Sequence, residues 1–144
     1  MKPIQVASLI AAFGTAAVSA SPLASEIQAR APITSADFSS FAVTCSSSEC
    51  SISTNIVLQP EGYAVSCTHT IPGSTLPSTG GIWTCSDTLV WPRYNRGPFE
   101  NAPYRIVLTD GRDPTNAATV RYDSPRSDWP GDAGYSGPTS FTAV

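Results

Sequence analysis

Strict alternation of apolar and polar positions recurs along this chain. In SISTNIVL, residues 51–58, Ile52, Thr54, Ile56 and Leu58 fall on one side, although Val57 blurs the other. In GYAVSC, Tyr63, Val65 and Cys67 share a face, and in YRIVLTD, Tyr104, Ile106 and Leu108 do the same. A period of two is that of half-buried strands. Phe38–Cys45, Gly81–Trp91, Thr119–Tyr122 and Ser140–Val144 bring the predicted set to about seven strands. Turns are marked by Pro60-Glu61-Gly62, Pro72-Gly73, Asp110-Gly111 and Asp113-Pro114, with a tight turn at Ser46-Ser47-Ser48 joining the first two strands. No helical period of 3.6 persists beyond the first 20 residues. The pattern predicts an all-β fold, a compact antiparallel β-barrel or β-sandwich.

The first 20 residues obey another rule. Lys2 supplies a positive start, Val6 to Val18 is almost wholly apolar, and Val18-Ser19-Ala20 fits the small-x-small pattern ahead of a signal-peptidase cut. Ser8, Gly14 and Thr15 interrupt the run, which is also short for a membrane span. Residues 1–20 therefore read as a signal peptide rather than a buried helix. Residues 21–32 read as a flexible tail or short propeptide, and residues 33–144 as one small β domain. The expected location is extracellular, with no membrane attachment after the leader is removed.

Charge narrows the partners. Lys2 is the one lysine, so removal of the leader leaves seven arginines against eleven acids, a net charge near −4. The arginines form no basic run. Such a surface repels phosphates and anionic lipids, and nucleic acid is excluded as a first expectation.

Four cysteines permit three pairings. Cys45 and Cys50 flank a short SSSE turn, and Cys67 and Cys85 each occupy a predicted strand, with a loop rich in Pro, Gly, Ser and Thr between them. Local pairing is favoured on that basis. By loop-closure entropy the larger ring is worth about 3 kcal/mol and the smaller about 2 kcal/mol. That is a large share of a small domain's net stability.

Candidate chemistry is sparse. The single histidine, His69, lies in the stretch between Cys67 and Cys85, and serines are abundant, but there is no GxSxG elbow. A zinc site wants three or four ligands, which one histidine and bonded cysteines do not supply. Asp110, Asp113, Asp123, Asp128 and Asp132 are oxygen donors suited to calcium, yet their spacing is not that of an EF-hand and Arg112, Arg121 and Arg126 intervene. Glu61 and Glu100 stand beside turns, and nothing brings them to opposite sides of a scissile bond. No catalytic, cofactor or metal residue is assigned, and the chain reads as a non-enzyme, with a small secreted hydrolase using His69 as the last alternative.

Aromatic residues offer more. Trp83 and Trp91 are both odd-numbered, so an unbroken strand places them on one face with Cys85, Asp87 and Leu89. A charged Asp87 on that face predicts a bulge or turn near Ser86-Asp87. Core packing is the plainer role for both tryptophans. Trp129, flanked by Asp128 and Pro130-Gly131-Asp132, reads as a loop residue. It is either an exposed platform for a sugar or protein partner, or part of a loop folded back over a barrel end. Trp129 and Tyr135 are the candidate ligand or partner contacts.

The order ITSADFSSFAVTC, CSISTNIVL, GYAVSC, GIWTCSD, YRIVLTD, and above all VSCTHTIPGSTLPSTGGIWTCSD, resembles the small secreted fungal proteins related to the major Alternaria allergen, the AA1-like domain. The resemblance covers Ile33 to Asp110, and Cys67 and Cys85 match the family's disulfide position. It implies a compact β-barrel or sandwich without established catalysis, acting as a secreted allergen, elicitor or effector. Expected partners are a host extracellular protein, a glycan or a small phenolic ligand, with no cofactor. This chain has the short Cys45/Cys50 pair and no cysteine after Cys85, so the family's late bridge and cysteine-linked dimer are not expected. A monomer or weak dimer is.

Overall fold

In a computed structural model the described residues are 31–99 and 101–144. The predicted signal peptide and residues 21–30 of the predicted tail lie outside them. Alternation becomes structure along eight strands: β1 (Ser35–Cys45), β2 (Glu49–Gln59), β3 (Tyr63–Pro72), β4 (Thr84–Cys85), β5 (Val90–Arg96), β6 (Tyr104–Asp110), β7 (Ala118–Ser124) and β8 (Phe141–Ala143). They form a five-stranded sheet in the order β4-β3-β2-β1-β8 and a three-stranded sheet in the order β5-β6-β7, with all pairings antiparallel.

The inward residues of β2 are Ile52, Thr54, Ile56 and Leu58, all buried. In β1 the inward set changes phase, from Ala36 and Phe38 to Phe41 and Val43. A bulge between Ser39 and Ala42 inserts one residue opposite β2 and holds Ser40 at a φ of 52°. The extra residue lets both halves of β1 face the same core despite the change of phase. Thr54, a buried polar residue opposite the bulge, donates to the Ser39 carbonyl at 3.1 Å, with the Asn55 carbonyl also in reach at 3.2 Å. Its burial is thereby satisfied.

Both favoured disulfides are present, and each joins directly opposed residues. Cys45 and Cys50 close the β1–β2 hairpin with a Cα–Cα distance of 3.9 Å, and Cys67 and Cys85 join β3 to β4 at 4.0 Å. The hairpin turn is organised by Ser46, whose Oγ accepts from the backbone N–H of Ser48 and Glu49.

The predicted strand Gly81–Trp91 is corrected to two, separated by a turn where one was expected near Ser86-Asp87. Ser86–Leu89 is a turn in which the Asp87 carboxylate accepts from Leu89 N–H at 2.9 Å, the local pattern Asp favours. The turn carries the chain from the edge of the first sheet to the edge of the second. Trp83 and Trp91 therefore do not share a face: Trp83 is in the core and Trp91 faces outward.

The two sheets do not close into one barrel, but their inner faces feed a common core containing Phe38, Phe41, Ile56, Trp83, Tyr94, Tyr104 and Leu108. Hydrogen bonds tie the sheets at both margins: Trp83 N–H to the Pro92 carbonyl, and a reciprocal pair between Arg121 and Val144. These contacts cover strand edges that would otherwise be open to pairing with other chains.

Candidate contact site

The segment after β7 shapes the molecule most. Two single 3₁₀ turns, Arg126–Asp128 and Pro130–Asp132, fold residues 125–135 back against the sheets. The turn residues around Trp129 place it in a loop as the sequence indicates, but its indole is only 1% exposed. It stacks on Tyr104 with ring centroids 4.1 Å apart, meets Phe41 edge-on, and donates from Nε1 to Ser124 Oγ at 2.9 Å. Trp129 is thus corrected from a surface contact candidate to a core residue. The apolar gain of burying an indole outweighs the polarity of its neighbours. Tyr135 is half-buried, lies edge-on to Phe41 with centroids 4.8 Å apart, and donates to the Pro138 carbonyl. Burial pushes its hydroxyl pKa up to about 12. It braces the strap rather than standing free of it.

Asp132 fastens this strap. Its carboxylate accepts from Tyr104 Oη at 2.5 Å and pairs with Arg96 at 2.5 Å and Arg126 at 2.8 Å. Burial opposes ionisation of Asp132. The hydrogen bonds from Tyr104 and Arg96 and the charges of Arg126 and Arg96 outweigh it, holding the carboxyl below its ordinary range. Tyr104 moves the other way, its hydroxyl raised by burial and then by Asp132.

The remaining acids do not converge. Asp110 holds Arg112 through two short bonds, Asp113 caps Thr115, Asp123 pairs with Arg105 across β6 and β7, and Asp128 accepts from Ser124. Among the described residues no group of three or more His, Cys, Asp or Glu side chains is placed to hold a metal ion. His69 lies on β3 with its imidazole against Gly81, and burial lowers its pKa. No hydrogen bond links it to a serine or an acid among the described residues. Glu61 makes a 3.3 Å ion contact with Arg112, while Glu100 lies outside the described residues.

An apolar groove lies between β4 and β5, where the two sheets meet. It encloses about 310 Å³ and is lined by Ile82, Trp83, Thr84, Cys85, Thr88, Val90 and Trp91. None of these side chains is charged. Ile82 is 54% exposed and Trp91 is 37% exposed, and Leu89, in the adjoining turn, is 45% exposed. Trp91 is held in place from two directions. Its Nε1 donates to the Thr88 carbonyl at 2.8 Å, and its ring lies on Gly111, where an added Cβ would stand 2.5 Å from Cη2. Nearby, Tyr63 donates to Asp87 at 3.0 Å and carries the Arg112 guanidinium 4.2 Å above its ring. The floor of the groove has one unusual feature: Trp83 Nε1 is buried with no hydrogen-bond partner among the described residues.

The arrangement is suited to contact rather than to bond making. It presents a fixed aromatic ring, two aliphatic side chains and threonine hydroxyls, with no nucleophile paired to a base. Sequence reasoning missed this site because it gave Trp91 the same core-packing role as Trp83. The signal that finds it is the turn expected near Ser86-Asp87, which reverses the phase of the residues after it and so turns Trp91 outward. Comparison with protein-family models, curated proteins and solved structures finds no match to this chain.

Proposed function

We propose that this chain is a secreted, non-catalytic interaction protein whose contact surface is the groove and rim formed by Ile82, Leu89 and Trp91. The observation that carries this reading is the preordered, exposed apolar rim on a scaffold bridged by two disulfides. Disulfides of this kind form and persist in oxidising compartments, which accords with export directed by residues 1–20. Apolar side chains clustered at a groove mark interaction sites more often than solvated surface does. The resemblance to the AA1-like proteins supports an activity at a boundary between a fungus and its host, on a sandwich-like pair of sheets.

The test is retention of a partner on the immobilised, folded protein from host extracellular fluid, alongside Trp91→Ala and Ile82→Ser. Capture by the parent chain and loss in both variants is the expected result. Equal capture by all three removes the groove from the reading, and no specific capture removes the reading itself.

A second reading is an extracellular carbohydrate- or small-ligand-binding module. It is favoured by the Trp91 ring with Thr84 and Thr88 hydroxyls on the same groove. A glycan array, with tryptophan emission monitored during titration, separates the two. A flat response in both sets it aside.

A further inference from the structure

The loop between Cys67 and Cys85 contains a feature that the contact site does not use. Its sequence Pro-Gly-Ser-Thr-Leu-Pro-Ser-Thr is the composition of O-glycosylated segments, in which hydroxyl residues alternate with proline. Structure then separates its four hydroxyl residues into two pairs. Ser78 and Thr79 belong to a bridged stretch: the Ser78 carbonyl accepts from Arg96 N–H, and Thr79 pairs with Asn95. Ser74 and Thr75 instead form a two-residue tip. Gly73 N–H is bound to the Ser48 carbonyl on one side of it, and Leu76 N–H to the Asp132 carbonyl on the other, with the Leu76 side chain buried. Both tip residues are exposed and lie outside any strand, and neither hydroxyl has a hydrogen-bond partner among the described residues.

Some exposed hydroxyls in other loops are already engaged. Ser46 Oγ organises its own turn, Thr115 Oγ1 donates to Asp113, and Ser136 Oγ donates to the Asp128 carbonyl. A sugar on any of these would sacrifice a hydrogen bond, and a sugar on an inward strand residue would have no room. On the tip it displaces only water. The anchors on either side, at Gly73 and Leu76, also keep the tip projecting outward, so a bulky group there leaves the core and both sheets undisturbed.

We infer that Ser74 and Thr75 are O-glycosylation sites, modified with a hexose during export. In the transfer, the serine or threonine Oγ forms the new bond to C1 of the sugar as the bond from C1 to the donor's phosphate oxygen breaks. The hydroxyl proton is taken up by a base of the transferase, and the phosphate leaves with its electron pair. The donor is a polyprenyl- or nucleotide-activated hexose of the secretory compartment. This inference rests on the proposal that the chain is exported.

The experiment expresses the full chain in a yeast and measures the intact mass of protein purified from the medium, with site mapping by electron-transfer fragmentation. A second strain substitutes the yeast's own leader for residues 1–20. Protein refolded from bacteria gives the unmodified mass. The expected result is addition of whole hexose increments mapped to Ser74 and Thr75. The double variant Ser74→Ala/Thr75→Ala should be secreted and folded, with those increments gone. Unmodified secreted protein, or sugars mapped only to other residues, overturns the inference. Retention of the chain with its native leader, together with glycosylated secretion under the yeast leader, overturns the export proposal while leaving the acceptor sites supported.

Discussion

Trp83 and Trp129 provide a controlled comparison, because both indoles are buried and both belong to the same aromatic core. Replacing either by phenylalanine removes a similar volume, so the cavity contributions are of similar size. The polar contributions have opposite signs. Trp129→Phe loses the 2.9 Å bond from Nε1 to Ser124 Oγ, a net loss of about 0.5–1.5 kcal/mol. Trp83→Phe removes an N–H that has no partner among the described residues, recovering about 1–3 kcal/mol of desolvation cost. Trp129→Phe should therefore be the more destabilising substitution by about 1.5–4.5 kcal/mol. For a domain of this size, with a urea m-value of about 1.5 kcal/mol/M, the two unfolding midpoints should stand about 1–3 M apart. The assay is urea unfolding at pH 7 monitored by far-ultraviolet circular dichroism, with slopes compared to confirm a shared unfolded state. Equal midpoints, or a lower midpoint for Trp83→Phe, would refute the assignment of the partnered and unpartnered indoles.

Trp91→Phe should cost less than about 1 kcal/mol, since the ring is partly exposed, and should remove the component of tryptophan emission most open to acrylamide quenching. Quenching that persists unchanged would contradict its exposure. Replacing Cys67 and Cys85 together by alanine should lower stability by about 3 kcal/mol, read as a urea midpoint shift under non-reducing conditions. Asp132 has its folded pKa depressed, so its contribution is fully present above the unfolded value of about 3.9 and is lost as pH falls through the folded value. Asp132→Asn should consequently lower the melting temperature at pH 7 and flatten its decline below about pH 4. Thr54→Val should cost about 1 kcal/mol in the same urea assay by removing the hydroxyl that donates at the β1 bulge.

Much of the framework was legible because it depends on local rules. The alternation at Ile52, Thr54, Ile56 and Leu58 identified the inward face of β2, and the short spacing of Cys45 and Cys50 favoured the hairpin bond that forms. Period-two counting could not run through Asp87, as its charge indicated, but the sequence did not say that the turn there moves the chain to another sheet. It also gave no warning of the bulge at Ser40, where one inserted residue restores rather than breaks the inward pattern. Trp129 was misleading for a different reason. Its neighbours do make turns, but the burial of its ring depends on Phe41 in β1 and Tyr104 in β6, far away in sequence. The contact groove was illegible for the same cause, being made by two strand edges that only tertiary folding brings together. The acids from Asp110 to Asp132 looked like a group in sequence and are distributed in space, each satisfied by its own donor.

The strap from residue 125 onward has a consequence for how the chain is made. Until that segment has been synthesised, a nascent chain has no cover for Phe41, Tyr94 and Tyr104, and no Asp132 carboxylate to meet Arg96. A product truncated before Pro125 would therefore display sticky aromatic surface even with both disulfides formed. Quality control that senses such surface would pass only chains completed through the strap.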